Sequence, residues 1–140
     1  MKATIDKMIV RKWGRIVNIT SNTVKTPSDE LCLSKGARTG LSGFVAGQAR
    51  QVARHGVTTN NILPGNFDTD CLFSNFIAAS ESSGVAIEQI RNIRMNQNPA
   101  RGFGDLVEFG AACGFLCRVH AGYIDAPKIL LDGGAYPATM

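Results

Sequence analysis

The stretch spanning residues 13–35, WGRIVNITSNTVKTPSDELCLSK, constrains the fold more than any other part of the chain. Within residues 15–19, Ile16, Val17 and Ile19 make a short apolar, β-branched run, the pattern of a strand buried in a parallel sheet. Asn18, Thr20, Ser21 and Asn22 bring amides and hydroxyls to the end of that run. Pro27 marks a loop, and Ser28, Asp29 and Glu30 form a cap-like group before a long helix that carries Ser34 and Lys35. Open α/β sheets bind their ligands beyond the carboxyl ends of the strands. Ser21 at such an end, with Lys35 early in the next helix, is where chemistry is expected.

The rest of the chain continues the alternation. Ile5, Met8 and Ile9 recur at helical spacing, which predicts a helix over residues 1–12 that ends near Gly14. The helix after the first strand should run over 31–55, with a core stripe of Leu41, Phe44, Val45, Ala49 and Val52. Gly36, Gly40, Gly43 and Gly47 share nearly one face of it, and a row of this kind lets another helix approach closely. The row lacks the strand and turn that a dinucleotide fingerprint requires, so it is read as a helix contact and not as a phosphate site. A second strand is expected over 57–63, ending at Pro64-Gly65, then helices over about 68–79 and 87–96. Asp105 and Glu108 are spaced as a capping box for a helix to about residue 119, apolar on most sides and therefore expected to be well buried. A third strand should occupy 128–131. Strands alternating with helices imply a parallel sheet, so the expected fold is α/β, a partial doubly wound (Rossmann-like) fold of about three parallel strands flanked by helices.

Four ordered motifs carry a resemblance: GRIVNITS at 14–21, the Ser34-Lys35 pair opening a glycine- and alanine-rich helix, Asn60-Asn61-Ile62-Leu63-Pro64-Gly65, and Leu131-Asp132-Gly133-Gly134. Together they resemble the short-chain dehydrogenase/reductases, most of all the 3-oxoacyl-(acyl carrier protein) reductase-like members. The similarity runs over nearly the whole chain but only over the carboxy-terminal half of that fold. Residues 1–140 are therefore expected to form a single domain lacking the GxxxGxG dinucleotide-binding half.

The resemblance implies NAD(P)-dependent interconversion of a small carbonyl compound and its alcohol, with NAD or NADP as cofactor. It places Ser21 as the group that polarises the carbonyl and Lys35 as the lysine of the catalytic set. Asn18, Lys35, Pro64, Gly65 and Thr69 are the implied cofactor contacts, the last three through the family's PG-x-x-x-T. The family tyrosine, the proton donor, should lie four residues before Lys35. Leu31 stands there and has no proton to transfer. Arg101-Gly102 reverses the family's glycine–arginine pair, and Ala126-Pro127 replaces its glycine–glutamine. These departures set two expectations side by side: an oxidoreductase fragment inactive on its own, or a non-catalytic remnant that acts as an oligomerising or interaction protein.

Composition narrows the alternatives. A hydrophobic share of 44% with 19% charged residues describes an ordinary globular domain. The net charge of +4 raises the question of nucleic acid, but Lys2, Lys7, Arg11, Lys12 and Arg15 are spaced as a solvated helix face, so no nucleic acid is expected. No apolar run is long enough to cross a bilayer, no signal-peptide core is present, and the four cysteines suit a reducing compartment, so the expected location is cytoplasmic. Cys113 and Cys117 lie one turn apart but lack a second ligand pair, so they are read as core and no metal site is expected. A bared edge at the first strand is an association hazard, and a homo-oligomer, dimer or tetramer, is the expected state.

Overall fold

A computed structural model of the chain describes residues 2–26 and 32–138. The expected caps Ser28, Asp29 and Glu30, together with Leu31, lie outside the described residues. Eight elements follow in order: α1 (Lys2–Val10), β1 (Gly14–Ile19), α2 (Cys32–Val52), β2 (Val57–Pro64), α3 (Asp70–Ser83), α4 (Ile87–Gln97), α5 (Leu106–Leu116) and β3 (Lys128–Leu131). The three strands form one parallel sheet in the order β1-β2-β3, flanked by helices as the alternating pattern predicts. Gly14 pairs with Val57 at the start of β1, Ile19 with Ile62 at its end, and Pro64 with Leu131 at the far side of β2.

The central strand is the most deeply buried element. Residues 57–63 of β2 are all buried, including Thr58, Thr59, Asn60 and Asn61 in its middle. A buried polar strand needs partners for its backbone, and β3 begins too late to supply them all. The segment before β3 fills the gap. The Thr59 N–H donates to Asp125 Oδ1 at 2.7 Å, the Ala126 N–H to Thr59 O at 3.0 Å, and the Asn61 N–H to Pro127 O at 3.2 Å. Asn60 Nδ2 adds a bond to Ile124 O at 3.0 Å. Both amide atoms of Asn61 stay buried without a hydrogen-bond partner.

One hydrophobic cluster joins Ile5 of α1, Val52 of α2 and Val57 of β2, with Met8, Ile9 and Ile16 packed around it. The helical spacing read for residues 1–12 is thus the spacing of a buried stripe. Val45 and Ala49 of α2 are buried as expected, but Leu41 and Phe44 face outward. The four glycines of α2 meet no helix within the chain: a Cβ built at Gly36, Gly40, Gly43 or Gly47 finds open space among the described residues.

Other expectations need correction. α3 does not stop near residue 79. The Ser82 and Ser83 hydroxyls donate back to Ala79 O, and the helix ends at Gly84, whose left-handed φ of 72° closes it through an N–H bond to Ser80 O. α5 has the expected capping box of Asp105 and Glu108, yet it ends at Leu116. It is not well buried either: Leu106, Val107 and Phe115 are exposed, and only Leu116 is fully covered. Its apolar sides are more than this chain can cover. Cys117 is exposed as well, so the core reading holds at most for half-buried Cys113.

Among the described residues three non-glycine ones adopt left-handed backbone: Lys12, Arg101 and Ala126. Two of these are the positions where the sequence departs from a family glycine. The left-handed region costs a non-glycine residue about 1–2 kcal/mol, against about 0.5–1 kcal/mol of extra unfolded-state entropy for glycine. Ala126→Gly is therefore expected to stabilise the fold by about 0.5–1 kcal/mol, and Arg101→Gly by less, since it also gives up the two 3.2 Å bonds from Nη1 to Asn96 O and Oδ1. Urea denaturation with an unchanged m-value checks this; a midpoint that fell in both variants would refute the strain.

Candidate active site

β1 and β2 deliver their ends to one place. Thr20 prolongs the pairing of β1 with β2, its N–H and its hydroxyl both donating to Ile62 O at 2.9 and 3.2 Å. Ser21 follows in extended backbone and caps a single 3-10 turn, Asn22–Val24. Its Oγ accepts the Thr23 N–H at 3.2 Å and the Thr23 hydroxyl at 2.9 Å, and its own proton points to Asn22 Oδ1 at 3.4 Å. β2 ends at Pro64, and the Gly65 N–H donates to Leu131 O at 2.8 Å, tying this end to β3. Thr69 caps α3, its Oγ1 accepting the Leu72 N–H at 3.1 Å, which leaves its hydroxyl proton free to be donated.

The loop between Gly65 and Thr69 is held by two backbone bonds, Gly104 N–H to Asn66 O and Asp68 N–H to Gly104 O, both 3.0 Å. These fix Phe67, whose ring meets Phe109 of α5 edge to face at 5.3 Å between centroids. Gly104 is required here, since a Cβ would fall within 3 Å of the Phe67 ring.

These pieces enclose a cavity of about 420 Å³ beyond the carboxyl ends of β1 and β2. Ser21, Pro64, Gly65 and Thr69 line it, with Thr20 and Arg38 at one side and Phe67, Leu72 and Phe109 as the apolar wall. Four of the six residues singled out from the sequence are thus brought together. The other two are not. Lys35 lies off the cavity lining, half-buried, with Nζ enclosed and without a hydrogen-bond partner. Asn18 is tied to the sheet by a long bond of 3.4 Å from Nδ2 to Asn60 O. No carboxylate, imidazole or phenol lines the cavity among the described residues. Tyr123 is fully exposed, and the Tyr136 ring stands 5.0 Å from Lys25 Nζ, so neither replaces the absent proton donor.

Sequence reasoning does not reach Arg38, Phe67 or Phe109. For Arg38 a signal exists: it lies three residues after Lys35, so helical spacing puts both on one side of α2. The aromatic wall has none, because its two rings are 42 residues apart and meet only through the loop at Gly104.

The family model for short chain dehydrogenases matches residues 1–77. The chain belongs to the short-chain dehydrogenase family. It is 31% identical over 135 residues to 3-oxoacyl-(acyl-carrier-protein) reductase FabG of Vibrio cholerae, covering 96% of this chain and 51% of that protein. It is 35% identical over 130 residues to Nodulation protein G of Azospirillum brasilense, covering 91% of this chain and 48% of that protein. The chain thus spans about half the length of the curated relatives it matches. Among solved structures, YwfH, an NADPH dependent reductase involved in bacilysin biosynthesis, superposes with a TM-score of 0.87 at 24% identity, over 94% of this chain and 50% of its own. Actinorhodin polyketide ketoreductase, solved with NADPH, superposes at 0.86 over the same shares. These establish a short-chain dehydrogenase fold for the three-stranded sheet.

No group of three metal-ligating side chains exists among the described residues. Burial, and then the neighbouring Cys117, push the Cys113 thiol up, which opposes the thiolate a metal needs. No helix among the described residues is long and apolar enough to cross a membrane.

Gly65 carries the closest approach to backbone in the site. A Cβ there would lie 2.8 Å from Cα of Asp132, backbone that cannot swing aside, and 2.8 Å from the Cβ attached to it. Gly65→Ala should cost about 1–3 kcal/mol by overpacking and displace the amide resonances of residues 64–69 and 131–133. A variant with unchanged melting temperature and unchanged spectrum would refute this contact.

Proposed function

We propose that the chain carries the nicotinamide- and carbonyl-facing end of an NAD(P)-dependent oxidoreductase site, and that these 140 residues alone do not transfer hydride by the tyrosine route. The observation behind this reading is the convergence of Ser21, Pro64, Gly65 and Thr69 on one cavity at the strand ends. Ser21 is the hydroxyl that polarises a carbonyl, once its proton turns from Asn22 toward the cavity. Thr69, with a proton to spare, and the backbone at Pro64-Gly65 hold a carboxamide.

The described residues fit the nicotinamide end of a dinucleotide and nothing beyond it. Lys35 lies off the cavity lining, so its enclosed Nζ would meet a ribose hydroxyl only after its side chain turned toward the cavity. No strand leading into a glycine-rich turn is present among them to hold the pyrophosphate at a helix N-terminus. When bound, the nicotinamide supplies or accepts the hydride. The tyrosine route lacks its proton donor, because Leu31 occupies the tyrosine position and no phenol, imidazole or carboxylic acid lines the cavity among the described residues, where the Cys71 thiol is the one acidic group.

Calorimetry with NADH, NADPH and reduced nicotinamide mononucleotide tests this reading. All three are expected to bind with similar Kd on the order of millimolar, about −4 kcal/mol, because only their common end has a site. NADH or NADPH binding a hundredfold tighter than the mononucleotide would overturn the half-site reading, and no binding of any would favour the second reading below.

That second reading is an oligomerising scaffold, favoured by the open glycine face of α2 and by Ile19, 61% exposed at the end of the edge strand β1. A dimer or larger homo-oligomer is expected by light scattering at micromolar concentration. A clean monomer would count against it.

A further inference from the structure

Arg38 gives the cavity its charge. Among the described residues it is the one guanidinium or ammonium lining the cavity, and no Asp or Glu of theirs lines it. Its guanidinium has no hydrogen bond or ion pair among the described residues. The backbone beneath it is fixed, since buried Ser42 donates from Oγ to Arg38 O at 2.9 Å. Among the described acids, Asp68 and Asp70 line a second hollow together with Thr69. Glu108 accepts the Asp105 N–H, and the Asp132 carboxylate accepts the N–H groups of Gly134 and Tyr136.

An exposed arginine without a partner among the described residues, beside a cavity with an apolar wall and no Asp or Glu among them, suits a planar anion that it can grip with two parallel bonds. We infer that Arg38 determines specificity, and that the substrate of this site is a small carbonyl compound carrying an anionic group, carboxylate or phosphate. This rests on the carbonyl reading of Ser21 given above. Arg38 holds the anionic end, while the carbonyl faces Ser21 and the carbon chain lies against Phe67, Leu72 and Phe109. Arg38 takes no part in bond making; it is a positioning residue.

The test uses the full chain and no nicotinamide, so it stands apart from the hydride reading. Amide chemical shifts are followed at pH 7 on titration with acetoacetate, its neutral twin methyl acetoacetate, dihydroxyacetone phosphate and inorganic phosphate. Acetoacetate or dihydroxyacetone phosphate should shift Thr20 and Ser21 saturably, and whichever binds tighter identifies the anionic group. Arg38→Gln should weaken that binding at least about tenfold, as loss of a charge-assisted pair does, and Arg38→Lys should restore part of it. Methyl acetoacetate should bind both forms alike, which shows that the variant keeps its cavity.

Equal affinity for acid and ester, or an Arg38→Gln variant as tight as the parent, overturns the proposal. So does inorganic phosphate binding as tightly as either carbonyl anion, since that describes an anion hole with no substrate specificity. Absence of nicotinamide binding in calorimetry would sink the cofactor half-site alone, because anion binding at Arg38 is read here without any cofactor present.

Discussion

The structure depends on how β2 is satisfied. A strand buried over seven residues with four polar side chains in its middle is stable only if its backbone is paired on both edges. β1 supplies one edge over six residues. The other edge is shared between β3 and the short segment around Asp125, whose carboxylate stands in for a strand carbonyl at Thr59. Once β2 is held, its end at Pro64 is placed beside the end of β1. The cavity exists because those two ends coincide.

The site is assembled from caps. Ser21 caps a 3-10 turn and Thr69 caps α3, so the side chains positioned for chemistry are held by the same bonds that start the next element. This economy has a chemical consequence: Ser21 offers a carbonyl only the proton it now gives Asn22, whereas Thr69 has one in hand. The cavity contains hydroxyls, amides, the Cys71 thiol, an arginine and an apolar wall, a set suited to holding and polarising a substrate, with no phenol, imidazole or carboxylic acid among the described residues.

The elements are largely legible in the sequence because their signals are local. β-branched runs mark β1 and β2, the Asp105 and Glu108 spacing marks the start of α5, and the strand-end position of Ser21, Pro64 and Gly65 follows from the α/β pattern. What escapes is set by distant contacts or by bonds that composition does not show. Ser82 and Ser83 extend α3 by bonding backward, in a stretch that composition reads as a break. α5 reads as a core helix because its residues are apolar, yet apolar composition records what a helix could bury, and this chain offers too little to cover it. Lys35 and Asn18 are placed by motif alone, and a motif does not state side-chain direction; neither lines the cavity.

The bond between Thr59 and Asp125 spans 66 residues, and the β1–β2 pairing next to it spans about forty. Contacts so far apart in sequence form slowly, because closing the loop is entropically unfavourable until the contact is made. The outer edge of β2 must therefore wait for the last quarter of the chain to arrive. In that interval a polar, hydrogen-bond-hungry strand flanked by Val57, Ile62 and Leu63 is open to pairing with another copy. The feature that completes the native sheet thus also sets when, during folding, the chain is most exposed to misassembly.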